Sequence, residues 1–499
     1  MIESSLRKRY LIKLLSSVIN GLIGFLIIFL VPKAIGPVAY GQFTYIQQFC
    51  IKLYDFLDAG SSIAFYTKLS AKPNRKELIS FYFYYSLCVF FIVGLFFYLM
   101  SHFNLADKFL PEIDSKYIIV GLIYGFLIWF SQIFIKISDA YALTVQVELI
   151  KIIHKFFSII VLFYLVYCLD FDLKMYFEFH IVFLFLFIFV LFCVFYDLGI
   201  FSKKMIFLEL SMVKSIFFDF FRYCSPLFLY IVAGLLSGFF DIWLLQRVGG
   251  AVEMGYYGLA YSVAAMCFVL TVAMTPIITR EFSKSFEERD LAAMAELFKR
   301  YIPMLYSIAA YFSVFITFQS DNVLAIFTDK QFQEAYLVLV VMALYPIHQT
   351  YGQLSGSVFY ATGQTKKYRN VGLFSMVVGL ILTLFFVYIF ELGAMGLALK
   401  MVITQLIAVN IQLFFNVKFL DLNMVDFIKH QVLAVALFCC AALLPSMFVD
   451  ISSPIIEFLV SGVIYTLIVV LILFIFPSLF SVSRSELKDA IKKVIRRKK

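Results

Sequence analysis

The chain has 499 residues, of which 63% are hydrophobic and 15% are charged, and its formal net charge is +9. Soluble domains average about 45–50% apolar and about 25% charged residues, so this composition excludes an ordinary soluble protein and predicts an integral membrane protein. Long apolar runs such as YGFLIWFSQIFI do not alternate between apolar and polar residues. This excludes the strands of a membrane β-barrel and predicts an all-α fold.

Fourteen stretches are long and apolar enough to span a membrane, which takes about 20 residues per helix. They are residues 12–31, 42–64, 79–101, 117–138, 152–169, 177–197, 222–245, 255–279, 303–326, 334–359, 370–390, 394–416, 431–449 and 455–478. Twelve spans are an alternative if one hydrophobic pair is re-entrant. We divide the chain into an N-terminal six-helix lobe at 1–200, a C-terminal six-helix lobe at 201–416, and helices 13 and 14 with a basic tail at 417–499.

The lysines and arginines predict the orientation of the chain, because cytoplasmic loops of membrane proteins are enriched in these residues. With the N-terminus in the cytoplasm, 33 of the 41 cations fall on the cytoplasmic side and six fall outside. We therefore expect an even number of spans with both termini in the cytoplasm, and the positive charge does not indicate a nucleic-acid partner. The tail RSELKDAIKKVIRRKK is expected either to lie on the anionic membrane surface or to be a solvated end.

Signatures of catalysis and of metal binding are missing from the sequence. There is no P-loop, HExxH or GxSxG pattern, and the eight cysteines form no CxxC pair. The acidic run DFD at 170–172 is interpreted as a solvated loop rather than as a metal-sugar motif. We therefore predict no catalytic residue, no metal and no cofactor.

Span two carries four polar residues inside the apolar stretch: Gln48, Lys52, Asp55 and Asp58. A charge at the centre of a membrane helix costs about 2.5–3.5 kcal/mol, so such groups should face a protein interior or a water-filled cavity. Gln48, Lys52 and Asp55 share one helix face by their spacing. Either this face lines a substrate cavity, or Lys52 and Asp55 neutralise each other and hold helices together.

Span seven contains Pro226, which removes a backbone hydrogen bond and predicts a hinge. Near its outer end lies Asp241, which either pairs with Arg247 or reaches water as an interfacial charge.

Span ten carries Pro346, His348 and Tyr351 at mid-membrane depth, and Pro346 is a second predicted hinge. His348 is either a cavity-lining donor that could carry a proton, or a buried hydrogen-bonding residue between helices. Lys400 in span twelve either points into a cavity or extends toward the membrane surface. We include His348, Tyr351 and Lys400 among the candidate substrate-binding residues.

One turn occurs twice in the sequence: PKAIGPVAYGQF after span one matches QRVGGAVEMGYY after span seven, 214 positions later. The equivalent pairs are Lys33 and Arg247, Gly36 and Gly250, and Gly41 and Gly255. Six spans separate the copies, so both have the same orientation, which predicts a parallel duplication. The glycines permit tight turns and close helix approach, and the cations place a positive charge in each half at an outer gate.

Four segments carry a resemblance to the polysaccharide exporter family. PKAIGPVAYGQF resembles that family's LGPxxYGxF turn, and RYCSPLFLY resembles the proline-bearing start of its span seven. YATGQTKKYRNVG is similar to its loop before span eleven, and FELGAMGLALKMVITQ resembles its entry to span twelve. The chain thus resembles the Wzx-type O-antigen flippases of the MOP superfamily, which also contains MurJ-like lipid II flippases and MATE drug exporters.

This resemblance implies two six-helix lobes around a central cavity, plus two C-terminal helices. It implies a flippase in the bacterial inner membrane that moves an undecaprenyl-diphosphate-linked oligosaccharide outward by alternating access. Cations would meet the diphosphate, and Lys52, Lys400, Lys33 and Arg247 are our candidates. The expected partners are the lipid-linked glycan, membrane lipids and glycan polymerase or chain-length proteins, with the chain itself a monomer.

Two other functions remain open at this stage. A MATE-like exporter of small molecules would need a membrane-embedded acid to couple transport to H⁺ or Na⁺, and Asp55, Asp58 and Asp241 are available. A membrane glycan polymerase or ligase would need a large outer loop, whereas the longest one here, at 101–116, is short. We therefore predict a transporter rather than an enzyme.

Overall fold

The computed structural model describes residues 6–58, 60–103, 105–141, 143–201 and 208–482. The described ranges are 88% helical and contain no strand. Ten of their helices are long and apolar enough to cross a membrane. The predicted all-α integral membrane fold is confirmed, and the chain is a multi-pass membrane protein. The basic tail singled out above lies outside the described residues.

The chain forms two compact units, Met1–Gly255 and Tyr256–Lys499. The helices that begin in the first unit are α1 Leu6–Asp58, α2 Ser61–Ala71, α3 Glu77–His102, α4 Ala106–Phe109, α5 Ser115–Ala140, α6 Thr144–Cys168, α7 Leu173–Asp197 and α8 Leu210–Met266. Those of the second unit are α9 Val269–Glu287, α10 Leu291–Phe318, α11 Ser320–Phe327, α12 Tyr336–Met342, α13 Tyr345–Ala361, α14 Thr365–Thr383, α15 Gly393–Phe419, α16 Met424–Phe448 and α17 Pro454–Ile475.

Each predicted span falls on one or two of these helices. Four of the fourteen, spans one, two, eight and ten, are not among the ten long apolar helices. Spans one and two are the two parts of α1, which departs from helical geometry at Gly36. Span eight is divided between the end of α8 and α9, and span ten between α12 and α13.

Several helices begin at an acidic or amide side chain that accepts a hydrogen bond from a backbone N–H of the first turn, which is the preferred N-cap chemistry. Asp114 caps α5, and Asp290 caps α10 by accepting from the N–H of Ala293 at 2.8 Å. Asp172, from the acidic DFD run, caps α7 by accepting from the N–H of Met175 at 2.8 Å.

Aromatic side chains fill the core of the first unit. The ring of Phe43 on α1 lies 4.3 Å from that of Tyr176, 5.0 Å from that of Phe177 and 5.7 Å from that of Tyr124, measured between centroids. These contacts join α1 to α5 and α7, so the residues that follow the first glycine turn are held in a fixed position.

The core of the second unit includes the last two helices. Phe298 of α10 packs against Phe427 of α16, with centroids 5.4 Å apart. Tyr465 of α17 is fully buried and stacks on Tyr311 of α10 at 5.0 Å. Helices α16 and α17 are therefore packed parts of this unit rather than an appended tail.

Candidate functional site

The two copies of the glycine turn have the same backbone conformation. Gly36 has φ 76° and ψ 171°, and Gly250 has φ 73° and ψ −174°. This region of conformational space is essentially restricted to glycine, because a Cβ atom would clash with the backbone. In both copies the chain leaves one helix at this glycine and enters the next one without a loop.

The two turns lie against each other, and each contributes a glycine to the contact. A Cβ on Gly41 would lie 1.7 Å from the carbonyl oxygen of Ala251, and one on Gly255 would lie 2.3 Å from that of Pro37. Residues 37 and 251 are also 214 positions apart, so each copy presents the same glycine to the same carbonyl of the other. We call residues 36–42 and 250–255 the glycine crossing.

The loop between α3 and α5 is tied to both sides of this crossing by hydrogen bonds. On the α1 side, Tyr45 donates to the carbonyl of Phe109 at 2.6 Å. On the α8 side, the indole N–H of Trp243 donates to the carbonyl of Lys108 at 2.8 Å, and Gln246 donates to the carbonyl of Pro111 at 3.1 Å.

Glu112 in this loop was not identified from the sequence, yet its carboxylate contacts the crossing directly. It accepts a hydrogen bond from the backbone N–H of Ala251 at 2.7 Å. Its oxygens would lie 2.9 and 3.1 Å from a Cβ on Gly250, and its own carbonyl accepts from Gln42 at 2.9 Å. A lone acid in a short loop gives no signal in the sequence, because the amide that it binds is more than a hundred positions away.

The predicted gate charges lie beside the crossing. Lys33 and Arg247 are both exposed, and each precedes its turn glycine by three residues. Asp241, on the same helix as Arg247, is buried with 8% of its surface exposed.

The polar face of span two lies in the second part of α1. Gln48 and Lys52 are half-buried, whereas Asp55 is exposed. The Nζ atom of Lys52 lies close enough to α8 that a Cβ on Gly238 would be 2.8 Å from it. The absent side chain at Gly238 thus provides the space that the lysine occupies.

Asp58 is placed differently from the other three residues, because it is the last residue of α1 and is buried. Its carboxylate accepts hydrogen bonds from the hydroxyls of Tyr82 at 2.7 Å and Ser62 at 2.9 Å. It also accepts from Ser61 at 3.1 Å and from the backbone N–H of Ser62 at 3.2 Å. Asp58 therefore fixes the break between α1 and α2.

The first unit also holds charged residues that are not among the candidates named from the sequence. Lys136 interacts electrostatically with Asp55 and Asp58. Helix α6 begins at Thr144 rather than at the predicted 152, which brings Glu148 and Lys151 inside the helix. Glu148 is buried and accepts a hydrogen bond from Ser16 on α1, and Lys151 lies 3.7 Å from its carboxylate.

In the second unit, His348 and Tyr351 lie with Tyr306 in an aromatic cluster. The ring of Tyr306 is 6.2 Å from His348 and 5.5 Å from Tyr351, measured between centroids. Within the described ranges, the Nδ1 atom of His348 has no hydrogen-bond partner. Lys400 packs against α14 instead, where a Cβ on Gly379 would lie 3.0 Å from its Cε atom.

The two predicted hinge prolines occupy different positions in their helices. Pro346 lies in the first turn of α13, where its missing N–H removes no helical hydrogen bond. Pro226 lies inside α8, whose described backbone departs from helical geometry only at Gly250. A hinge at Pro226 stays a prediction.

An aromatic cavity of about 290 Å³ lies in the first unit between α3 and the first part of α8. Phe81, Tyr85 and Phe220 line it, and Asp58 lies on its wall. Within the part of the chain that the structure describes, no group of three or more His, Cys, Asp or Glu residues could hold a metal ion.

No family model and no curated protein matches the sequence. Solved structures do match. The lipid II flippase MurJ in an inward closed conformation aligns with a TM-score of 0.69 at 14% identity, over 93% of this chain and 98% of that one. The chain has the MurJ- and MATE-like fold.

Two further solved structures place the fold in the same group. An inward-facing multidrug MATE transporter of the MOP superfamily aligns with a TM-score of 0.59 at 16% identity, over 84% of this chain and 96% of that one. A MOP-superfamily transporter from Pyrococcus furiosus aligns with a TM-score of 0.56 at 14% identity, over 84% and 97%. At these identities the likeness concerns the fold.

Proposed function

We propose that the protein is a flippase that moves an undecaprenyl-diphosphate-linked oligosaccharide, such as an O-antigen unit, across the bacterial inner membrane by alternating access. The observation that supports this most strongly is the extent of the alignment with the lipid II flippase, which covers 93% of this chain. The monomeric state, the cytoplasmic termini and the division into two six-helix lobes and two C-terminal helices belong to the same proposal.

The MATE alignment is shorter, and the difference favours a lipid-linked substrate. It leaves 16% of this chain, about 80 residues, without a counterpart, although it covers 96% of the MATE chain. In this proposal α16 and α17, which expose apolar side chains such as Val432, Leu459 and Leu467, supply apolar surface for a polyprenyl tail in the membrane.

The charges inside the first unit suit a diphosphate headgroup. Lysine and arginine side chains form charge-assisted hydrogen bonds with phosphate oxygens, which are about twice as strong as neutral ones. Lys52 lies half-buried within the helix bundle, and Lys136 and Lys151 add to the positive charge of this unit. Lys33 and Arg247 are exposed beside the glycine crossing, where they would meet the headgroup as it leaves.

Deleting the gene in its host tests the proposal. We expect the lipid-linked oligosaccharide to accumulate on the inner leaflet and surface glycan to be lost, as measured with a probe that reads only the outer leaflet. Normal glycan on the outer leaflet would contradict the proposal.

A MATE-like exporter coupled to H⁺ or Na⁺ is the second candidate, and one observation favours it. Asp58 is a buried acid on the wall of an aromatic cavity, and such a wall suits a lipophilic cation. New sensitivity of the deletion strain to cationic dyes, with normal surface glycan, would favour this function.

A further inference from the structure

The two copies of the glycine turn differ at the residue that follows the turn glycine. In the first copy this residue is Pro37, which has no backbone N–H. In the second copy it is Ala251, which has one. The first N–H groups of a helix have no partner within that helix, so proline leaves none unsatisfied at this position whereas alanine does.

Glu112 supplies the partner that the second copy needs. Its carboxylate accepts the N–H of Ala251 at 2.7 Å. A negative charge at this end of a helix also interacts favourably with the helix dipole. Glu112 also accepts a hydrogen bond from Gln42 through its carbonyl, so this one residue of the loop after α3 is bonded to both sides of the glycine crossing.

The backbone of Glu112 is held in place by contacts other than the one to the Ala251 N–H. Its backbone φ is 60°, a conformation that is uncommon for a residue with a side chain and that persists only where neighbouring contacts hold it. Gln42 holds its carbonyl at 2.9 Å, and Gln246 holds that of Pro111 at 3.1 Å. The backbone that carries the carboxylate is therefore held in place, and only the side-chain torsions of Glu112 have to be ordered for the carboxylate to reach Ala251.

We propose that Glu112 is a positioning residue that keeps the glycine crossing closed, and that the two turns separate when its carboxylate releases the N–H of Ala251. When the turns separate, water hydrates the Glu112 carboxylate and the Ala251 N–H. The hydrogen bond therefore stabilises the closed arrangement but still allows it to open. The role of Glu112 in transport rests on the proposed flippase function. The release of the Ala251 N–H by Glu112 can, however, be measured without any substrate.

Hydrogen exchange of the purified full-length protein in nanodiscs tests the proposal. The segment to follow is 36–43, which lies on the first-copy side of the crossing. Gln42 in this segment donates to the Glu112 carbonyl, whereas the Glu112 carboxylate accepts from Ala251 of the second copy. We expect Glu112→Ala to raise its exchange rate about tenfold, which corresponds to the loss of one charge-assisted hydrogen bond. Glu112→Gln, which keeps an accepting oxygen, should give a smaller increase.

Asp114→Asn is the matched control. Asp114 lies in the same loop and forms an exposed ion pair with Lys116 at 2.9 Å, whose hydrogen bond lowers the pKa of Asp114. It is thus a charged acid of the same loop, and its replacement should leave exchange at 36–43 unchanged. Any of three results would overturn the proposal: an equal increase of the exchange rate at 36–43 in Asp114→Asn, no increase there in Glu112→Ala, or an equal increase in α17 in Glu112→Ala.

Ala251→Pro gives a second, independent test, because it converts the second copy to the residue of the first. Without the N–H there is nothing for the carboxylate to hold. Adding Glu112→Ala in this background should therefore change exchange at 36–43 by less than about twofold, since residues in one contact are not additive. A full tenfold increase in the Ala251→Pro background would show that Glu112 acts elsewhere and would overturn the proposal.

Export measurements on the same variants separate this inference from the proposed function. Faster exchange in Glu112→Ala together with altered export of the lipid-linked glycan supports both. If the wild-type chain exports no such glycan while the exchange results hold, the proposed function is wrong and the role of Glu112 stands.

Discussion

Lys52 is a charged residue at a depth where the membrane disfavours charge. A cation at the centre of a membrane helix costs about 2.5–3.5 kcal/mol on insertion scales. The structure places it half-buried against Gly238, on a helix face that also carries Gln48. A residue kept in this position at such a cost is well placed to bind an anionic group.

We expect Lys52→Ala to lower export of lipid-linked glycan by about 10- to 100-fold, because one charge-assisted hydrogen bond contributes about 1.5–3 kcal/mol. Arg247→Ala should act in the same direction. Lys116→Ala is the control, since that lysine is 62% exposed and pairs with Asp114 at the surface. The outer-leaflet probe measures export, and immunoblots of membrane fractions measure insertion.

Normal export by both inserted variants would mean that the diphosphate is bound elsewhere. Lys136 and Lys151 would then be the next lysines to replace.

Only part of this candidate site could be predicted from single residues. Gln48, Lys52 and Asp55 were recognisable because they interrupt an apolar span at helical spacing. Glu148 was not, because its partner Ser16 is 132 positions away, on another helix. Contacts of that separation depend on how the helices pack, which the local sequence does not encode.

At the scale of elements, the glycine turn was predictable for a physical reason. A helix can pass directly into another at φ near +75° only if the residue there is glycine, so the requirement appears in the sequence twice. The start of α6 was not predictable, because the polar residues before 152 resemble a loop. In the structure they form the first turns of α6, where Glu148 is buried and accepts a hydrogen bond from Ser16 on α1.

Gly250→Ala should destabilise the protein, because φ of 73° strains a residue with a Cβ by about 1–3 kcal/mol. Gly94→Ala in α3 is the matched control, since a Cβ there would meet nothing within 4 Å and alanine is the better helix former. We expect the melting temperature in detergent to fall for the first variant and to stay or rise for the second. Equal melting temperatures would argue against strain at the turn.

Gly41→Ala should act through space rather than through backbone strain. Its Cβ would lie 1.7 Å from the carbonyl oxygen of Ala251, and a backbone atom cannot rotate away as a side chain can. The two turns must therefore separate, which we expect as faster hydrogen exchange at 250–255. Gly24→Ala, also on α1 but with nothing within 4 Å, is the control that should leave exchange there unchanged.

At the scale of the whole molecule, the lipid bilayer determines the fold more than the identities of individual residues do. The bilayer requires long apolar helices of fixed length, and a sequence that meets this requirement can share a fold at 14% identity with the lipid II flippase. The substrate does not follow in the same way. It depends on where a few charges meet, and Lys136, Glu148 and Lys151 were located only by the packing of α1, α5 and α6.

The predicted orientation of the molecule also belongs to this scale, because it depends on all 41 cations together. We expect single cysteines at positions 116 and 174, introduced into a cysteine-free variant, to react with a membrane-impermeant maleimide in intact cells. Cysteines at 72 and 366 should react only after permeabilisation. If one span is miscounted, the labelling results should be reversed for positions after that span in the sequence and unchanged for positions before it. The four positions together therefore separate a wrong orientation from a miscounted helix, and labelling of 72 in intact cells would contradict the cytoplasmic N-terminus.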